Sequence, residues 1–269
     1  MHLVLKPRNS FLRNTKQRRG RRSNLSVASL SVPASVDGGP VKAIGENAFK
    51  GASLSEITLP AGIKTIEDGA FSTCMQLNSI TLPAGLTHIG AEAFFHCESL
   101  TEVTLPENIV SIGRSAFDGC SALTSIELPQ GITAIEEATF RNCRSLTVVT
   151  LPQSIEAIGN CAFENCRNIS SIELPQSLVS IGDRAFAQTS SLTNVIFPDG
   201  VADCGKDVFL RASSSLKLYC AMDSITQATL MEQGYTVSII VPTLPDYTFE
   251  YSKTLDALTL TAYTGSDTA

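Results

Sequence analysis

The sequence predicts a β-rich solenoid, a pile of short coils of chain, and three observations predict it. A Leu-Pro or Phe-Pro pair falls at 59–60, 82–83, 105–106, 128–129, 151–152, 174–175 and 197–198, every step 23 residues. Phe71, Phe94, Phe117, Phe140, Phe163, Phe186 and Phe209 keep the same step, as do Cys74, Cys97, Cys120, Cys143 and Cys166. A 23-residue unit is too small to enclose its own apolar side chains, so consecutive units must cover one another.

Read in order, the unit is L-x-x-I-x-L-P-x-x-I-x-x-I-G-x-x-A-F-x-x-C, as in Leu100 through Cys120. The stretch Leu123 to Leu128 alternates in its second half, which predicts a short strand with Ile126 and Leu128 inward. Pro129 follows, and a residue without an N–H suits a place where ladder pairing stops. The I-x-x-I step carries two more inward side chains around a bend. Gly at 45, 90, 113, 159, 182 and 205 assists the next turn, although Glu67 and Glu136 in that column show that a positive φ is not required there. The Ala-Phe segment reads as one short helical turn with Phe as the bulkiest core filler. An earlier copy, Val41 to Pro60, is one residue shorter, and the copy after Phe209 is one longer.

Domain boundaries follow from these columns. Residues 1–31 read as a basic segment without fixed structure and 32–220 as the array, about eight rungs. Residues 221–241 read as a cap: Ser224 or Asp223 as N-cap, a helix to Gln233, Gly234 as stop, then a strand. Residues 242–269 read as a linker and a β-hairpin, in which Phe249, Tyr251, Leu258 and Leu260 alternate about a polar turn; this is expected to be the start of a truncated next module.

Composition narrows the function classes. The chain has 43% apolar and 17% charged residues, the latter below the roughly 25% of an average soluble domain. Such apolar content excludes wholesale disorder, and no run approaches 18 apolar residues, so insertion through a membrane-spanning helix is excluded. The net charge of −6 is split: residues 1–24 hold eight basic residues and no acid, while the other 12 basic and 26 acidic residues make the body acidic. An acidic body repels phosphate backbones, which argues against nucleic acid as a partner. The basic head suits an import run, a presequence or an arm for anionic surfaces, or is a merely solvated tail.

No catalytic set can be assembled. The five in-step cysteines read as small buried thiols, because Thr189 and Ala212 take the same position. A straight column of thiols also converges poorly on zinc. His88 lies in the I-x-x-I bend and His96 beyond Phe94, so they should face different ways. Paired carboxylates such as Glu136-Glu137 are adjacent loop positions and do not flank a substrate. No enzyme activity, cofactor or metal is expected.

The repeat, over roughly residues 32–220, resembles the BspA-like leucine-rich repeats, whose 23-residue units have this form. The resemblance implies a leucine-rich-repeat solenoid, a right-handed curved stack with a short parallel sheet on one side. It also implies a cell-surface or secreted protein that binds other proteins in adhesion, coaggregation or attachment to host matrix. No export signal is legible in the chain as given, which leaves the cytoplasm open. Two outward strand columns form the expected binding face, with Glu102, Thr104, Ser125, Glu127, Val148, Thr150, Ser171 and Glu173 as candidate ligand-binding residues. Their Ser, Thr and Glu content equally suits a spacer that only displays other modules. Open ends of the array expose strand edges and invite weak self-association.

Overall fold

A computed structural model of the chain describes residues 27–240 and the strands Leu3–Leu5, Tyr247–Ser252 and Ala257–Tyr263. The 23-residue unit closes one coil, and each coil has three sides. The first side is the strand read from the sequence. Ser125, Ile126 and Glu127 pair parallel with Val148, Val149 and Thr150, so each residue lies beside its equivalent one rung later. The same register joins Leu54–Thr58 to Ser79–Thr81, and Ser171–Glu173 through Asn194–Ile196 to Lys217–Ala221. Alternation does the sorting: Ile126 is buried while Ser125 and Glu127 are exposed.

The array starts earlier than residue 32. Val27–Ser31 pairs parallel with Leu54–Thr58 and so comes from the segment assigned by sequence to the basic tail. Leu30 and Val32 pack against the core and cover the open face of the first coil, which is what an end rung of a stacked array needs. Residues 6–26, the rest of that segment, lie outside the described residues.

The I-x-x-I step, read as a bend, forms a second ladder. Gly39–Ile44, Thr65–Ile66, His88–Ile89 and Ser111–Ile112 pair in parallel, and so do Ala134–Ile135, Ala157–Ile158, Ser180–Ile181 and Asp203–Cys204. Glycine opens this corner for a reason other than turn geometry. A Cβ on Gly113 would stand 2.5 Å from the Ala91 backbone nitrogen, and one on Gly205 2.4 Å from that of Asp183. Real Cβ atoms do not approach that closely, so the close passage of one rung over the next selects glycine there.

The third side differs from the expected helical turn. Ala116, Asp118 and Cys120 donate their N–H groups back to Gly113, Ser115 and Phe117 of their own coil. The alternate residues Ser115, Phe117 and Gly119 donate theirs onward to Glu137, Thr139 and Arg141 of the next coil. Reversing direction at every residue requires left-handed backbone at two fixed positions, Ser115 (φ 53°) and Gly119 (φ 78°) in this rung, Cys161 (φ 55°) and Asn165 (φ 63°) in another. Left-handed conformation costs a non-glycine residue about 1–2 kcal/mol, so bonds between rungs hold this segment, not local helix propensity.

The core is built of the same columns. Phe49, Phe71, Phe94, Phe117, Phe140, Phe163, Phe186 and Phe209 stack face to face with ring centroids 5.2–5.7 Å apart and planes within 12°. Tyr235 closes the stack edge-on at 5.7 Å from Phe209. Beside the rings, the buried thiols of Cys97, Cys120 and Cys143 each donate to a Phe carbonyl of the preceding rung at 3.2 Å. The described cysteines are free thiols. At the far end, Ser224 caps the helix Ile225–Glu232 by accepting from the Gln227 N–H, Gly234 (φ 83°) ends it, and Val237–Ile240 pairs with Lys217–Ala221. Tyr247–Ser252 and Ala257–Tyr263 then pair antiparallel, with Phe249 opposite Leu260 and Tyr251 opposite Leu258.

Two stability measurements check this architecture. Phe117→Ala should cost about 3–5 kcal/mol in denaturant unfolding, since the ring is fully buried between two others. The thiols give an alkaline signature. Burial pushes the Cys74 and Cys204 thiols up to about 11, and those of Cys97, Cys120, Cys143 and Cys166 higher, from an ordinary value near 9. Between those limits the unfolded chain has lost protons that the folded chain keeps, so stability is full below pH 9 and falls as pH rises toward 11, by about 1.4 kcal/mol per pH unit for each shielded thiol. Replacing Cys97, Cys120 and Cys143 by Ala, which the array itself uses at Ala212, should flatten that slope; an unchanged slope assigns the alkaline loss to other groups.

Candidate functional site

The first ladder is interrupted where the candidate binding residues begin. Ser79–Thr81 ends one sheet and Ser125–Glu127 begins the next, and Glu102–Thr104 between them forms no ladder pair. A second lapse separates Val148–Thr150 from Ser171–Glu173. Where the strands lapse, a cavity of about 380 Å³ opens on this side, lined among others by Thr104, Glu107, Ser125, Glu127, Val148 and Thr150. Five of the eight residues selected from sequence therefore line one cavity. Glu102, Ser171 and Glu173 are exposed on the same strand columns but do not line it.

Glu107 was missed by sequence reasoning, although the position after Leu-Pro is itself a column, running Ala84, Glu107, Gln130, Gln153 and Gln176. The face offers several kinds of contact chemistry. Hydroxyls of Thr104, Ser125 and Thr150 can donate and accept, the carboxylates of Glu107 and Glu127 accept, and Val148, 55% exposed, offers an apolar contact. The last rungs extend the columns differently, with Asn194 beside Lys217 and Ile196, 56% exposed, beside Tyr219.

The turn side carries a polar network that sequence reasoning also missed. Asp118 is fully buried and accepts from Arg141 Nε at 2.9 Å and Nη2 at 2.6 Å, while its other oxygen accepts from Asn142 at 2.9 Å. Asn165 donates to Asn142 at 2.8 Å and in turn accepts from Arg167 Nε at 2.7 Å. Glu164, nearly buried, pairs with Arg184 and accepts from Gln188. The hydrogen bonds to Asp118 hold the Arg141 guanidinium above its ordinary pKa. Burial and the hydrogen bond to Glu164 push the half-buried Cys161 thiol up to about 11, against the pull of Arg184 and Arg141. The signal was present in sequence as alternating charge at a 23-residue step: Asp118, Arg141, Glu164.

His88 stands in the second ladder with its Nδ1 2.8 Å from the Thr87 hydroxyl, and His96 on the turn side pairs with Glu98 at 3.2 Å. Among the described residues no three His, Cys, Asp or Glu side chains converge as a metal site, and no helix is long and apolar enough to cross a membrane.

Comparison with known proteins matches this geometry to a repeat family. The model of the BspA-type leucine-rich repeat region, in 6 copies, matches residues 42–147 and 133–256. Among solved structures, a leucine-rich repeat protein of T. pallidum is 25% identical with a TM-score of 0.50, over 78% of this chain and 84% of that one. A leucine-rich cell surface protein of Faecalibacterium prausnitzii is 22% identical with a TM-score of 0.49, over 71% of this chain and 68% of that one. No curated protein matches the chain.

The turn-side network is testable by a double-mutant cycle. Arg141→Ala leaves the Asp118 carboxylate buried with only Asn142 beside it, and with Arg141 itself partly exposed the cost should be about 2 kcal/mol in unfolding free energy. Adding Asp118→Ala should recover most of that loss, whereas additive costs would show that the pair is not coupled.

Proposed function

The chain belongs to the BspA-type leucine-rich repeat family, and from that membership we propose that it is a non-enzymatic protein-binding module of a cell-surface or secreted protein, engaging its partner through the strand side of the array in adhesion or attachment. One observation carries the choice of side: the lapse of the first ladder at Glu102–Thr104 and the cavity of about 380 Å³ beside it, lined by hydroxyls, two carboxylates and an exposed valine. Concave sites with an apolar element and a few convergent polar groups are where ligands are held. The partner surface that fits is basic with a small apolar protrusion: lysine or arginine for Glu107 and Glu127, an aliphatic group for Val148.

Three features support binding by many weak contacts. The strand columns from Glu56 to Ile196 hold no aromatic ring or arginine, the residues that dominate tight interfaces. Their acids never stand on adjacent rungs of one column, so negative charge is spread along the array. Repetition of the same face then multiplies modest contacts into useful attachment.

The experiment measures attachment of beads coated with the full chain to cultured cells and to immobilised extracellular-matrix proteins. Changing Glu102, Glu127 and Glu173 to Lys, or Val148 to Arg, should lower attachment at least several-fold while leaving the unfolding transition in place, because all four side chains are exposed. Attachment unchanged in both variants would assign the array to a spacer role.

A further inference from the structure

Stacking in register sets each charged residue beside the residue 23 positions on, and the array uses this consistently. Arg114 is followed by Glu137, Asp118 by Arg141 and then Glu164, Asp183 by Lys206, Arg184 by Asp207. Between Lys64 and Arg211 a single pair of like charges stands on adjacent rungs of one column: Arg144 and Arg167, the residues that follow Cys143 and Cys166. Both are exposed, and equivalent rings of their two rungs, Phe140 and Phe163, stand 5.5 Å apart. Like charges repel, so a charge repeated on adjacent rungs is unfavourable unless something binds between them.

This pair is also prepared. Arg167 does not swing freely: its Nε donates to Asn165, which is buried and anchored through Asn142 to the fully buried Asp118. The two carboxylates nearest the pair in the network, Asp118 and Glu164, are already committed to Arg141 and Arg184. Neither Arg144 nor Arg167 has an ion-pair partner among the described residues. The flanking column members are Ser121 and Ser190, small hydroxyls that leave the guanidinium groups open and can themselves donate.

We propose that Arg144 and Arg167 form an anion-binding site on the turn side of the array that takes a sulfate ester of a sulfated polysaccharide. A tetrahedral ester has three free oxygens and can accept from two guanidinium forks at once, whereas one fork uses both oxygens of a carboxylate. A peptide carboxylate is less suited, since it fills only one fork. The phosphodiester of a nucleic acid has two free oxygens, one fewer than a sulfate ester, and serves two forks less well. The site is independent of the strand-side reading, which concerns the opposite sign of charge and another side of the coil.

The experiment measures binding of heparin by the full chain. The basic residues before position 24 would attract a polyanion wherever the site lies, so Arg18, Arg19, Arg21 and Arg22 are first changed to Ser to give a low-background parent. In that parent, Arg144→Ser with Arg167→Ser, which installs the side chain of the neighbouring rungs, should weaken heparin binding about tenfold or more and lower its salt dependence, while a cooperative unfolding transition shows that the variant is folded. Chemically desulfated heparin should bind no better to the parent than to the double variant. Heparin affinity within twofold of the parent in the double variant would overturn the site. Equal binding of the parent to poly-glutamate or to a phosphoserine peptide would overturn the sulfated polysaccharide as its ligand.

Discussion

Everything in this array follows from one constraint, that each residue must lie beside its own equivalent in the next coil. The turn side enforces it most strictly, because alternate N–H groups of Ser115, Phe117 and Gly119 have partners only in the following rung. Both strand ladders lapse in places, yet the turn side carries bonds from Phe94 to Ala116, Phe117 to Thr139 and Phe163 to Ala185 across those lapses. The left-handed residues that permit this are unfavourable locally and are retained because they satisfy backbone donors that would otherwise be buried without partners.

Self-stacking also decides which side chains a column can hold. A phenyl ring beside a phenyl ring is favourable, and an aliphatic chain beside an aliphatic chain is too, so the apolar columns extend without limit. A buried thiol needs a donor's partner and finds it in the Phe carbonyl of the rung before. Exposed hydroxyls do the same, as where Thr124 donates to Thr101 and Thr147 to Thr124. Charge is the exception, since a charge repeated becomes a repulsion. The sequence answers by spacing acids on the strand side and alternating sign on the turn side.

Both proposed binding surfaces are departures from the repeat. The strand-side cavity opens where the ladder lapses, and the arginine pair is where alternation of sign fails. The two lie on different sides of the coil and carry different charge, so one array can present two unlike surfaces. Neither depends on a movable element; both are held by the stacked backbone, whose rigidity keeps weak groups in fixed register.

The chain by itself determined the period, the strand with Ile126 inward, the Phe and Cys columns, the helix that ends at Gly234 and the exposure of residues such as Glu127 and Thr150. These are legible because a 23-residue step names each residue's neighbour along the stack. Tertiary structure alone decided what happens across and around a coil. The Ala-Phe segment is turned rather than helical because its donors go to another rung, and Gly113 is glycine because Ala91 passes 2.5 Å from where its Cβ would be. The contacts from Asp118 to Asn142 and from Asn165 to Arg167 join different columns, and a repeat spacing carries no information about which columns the folded backbone brings side by side.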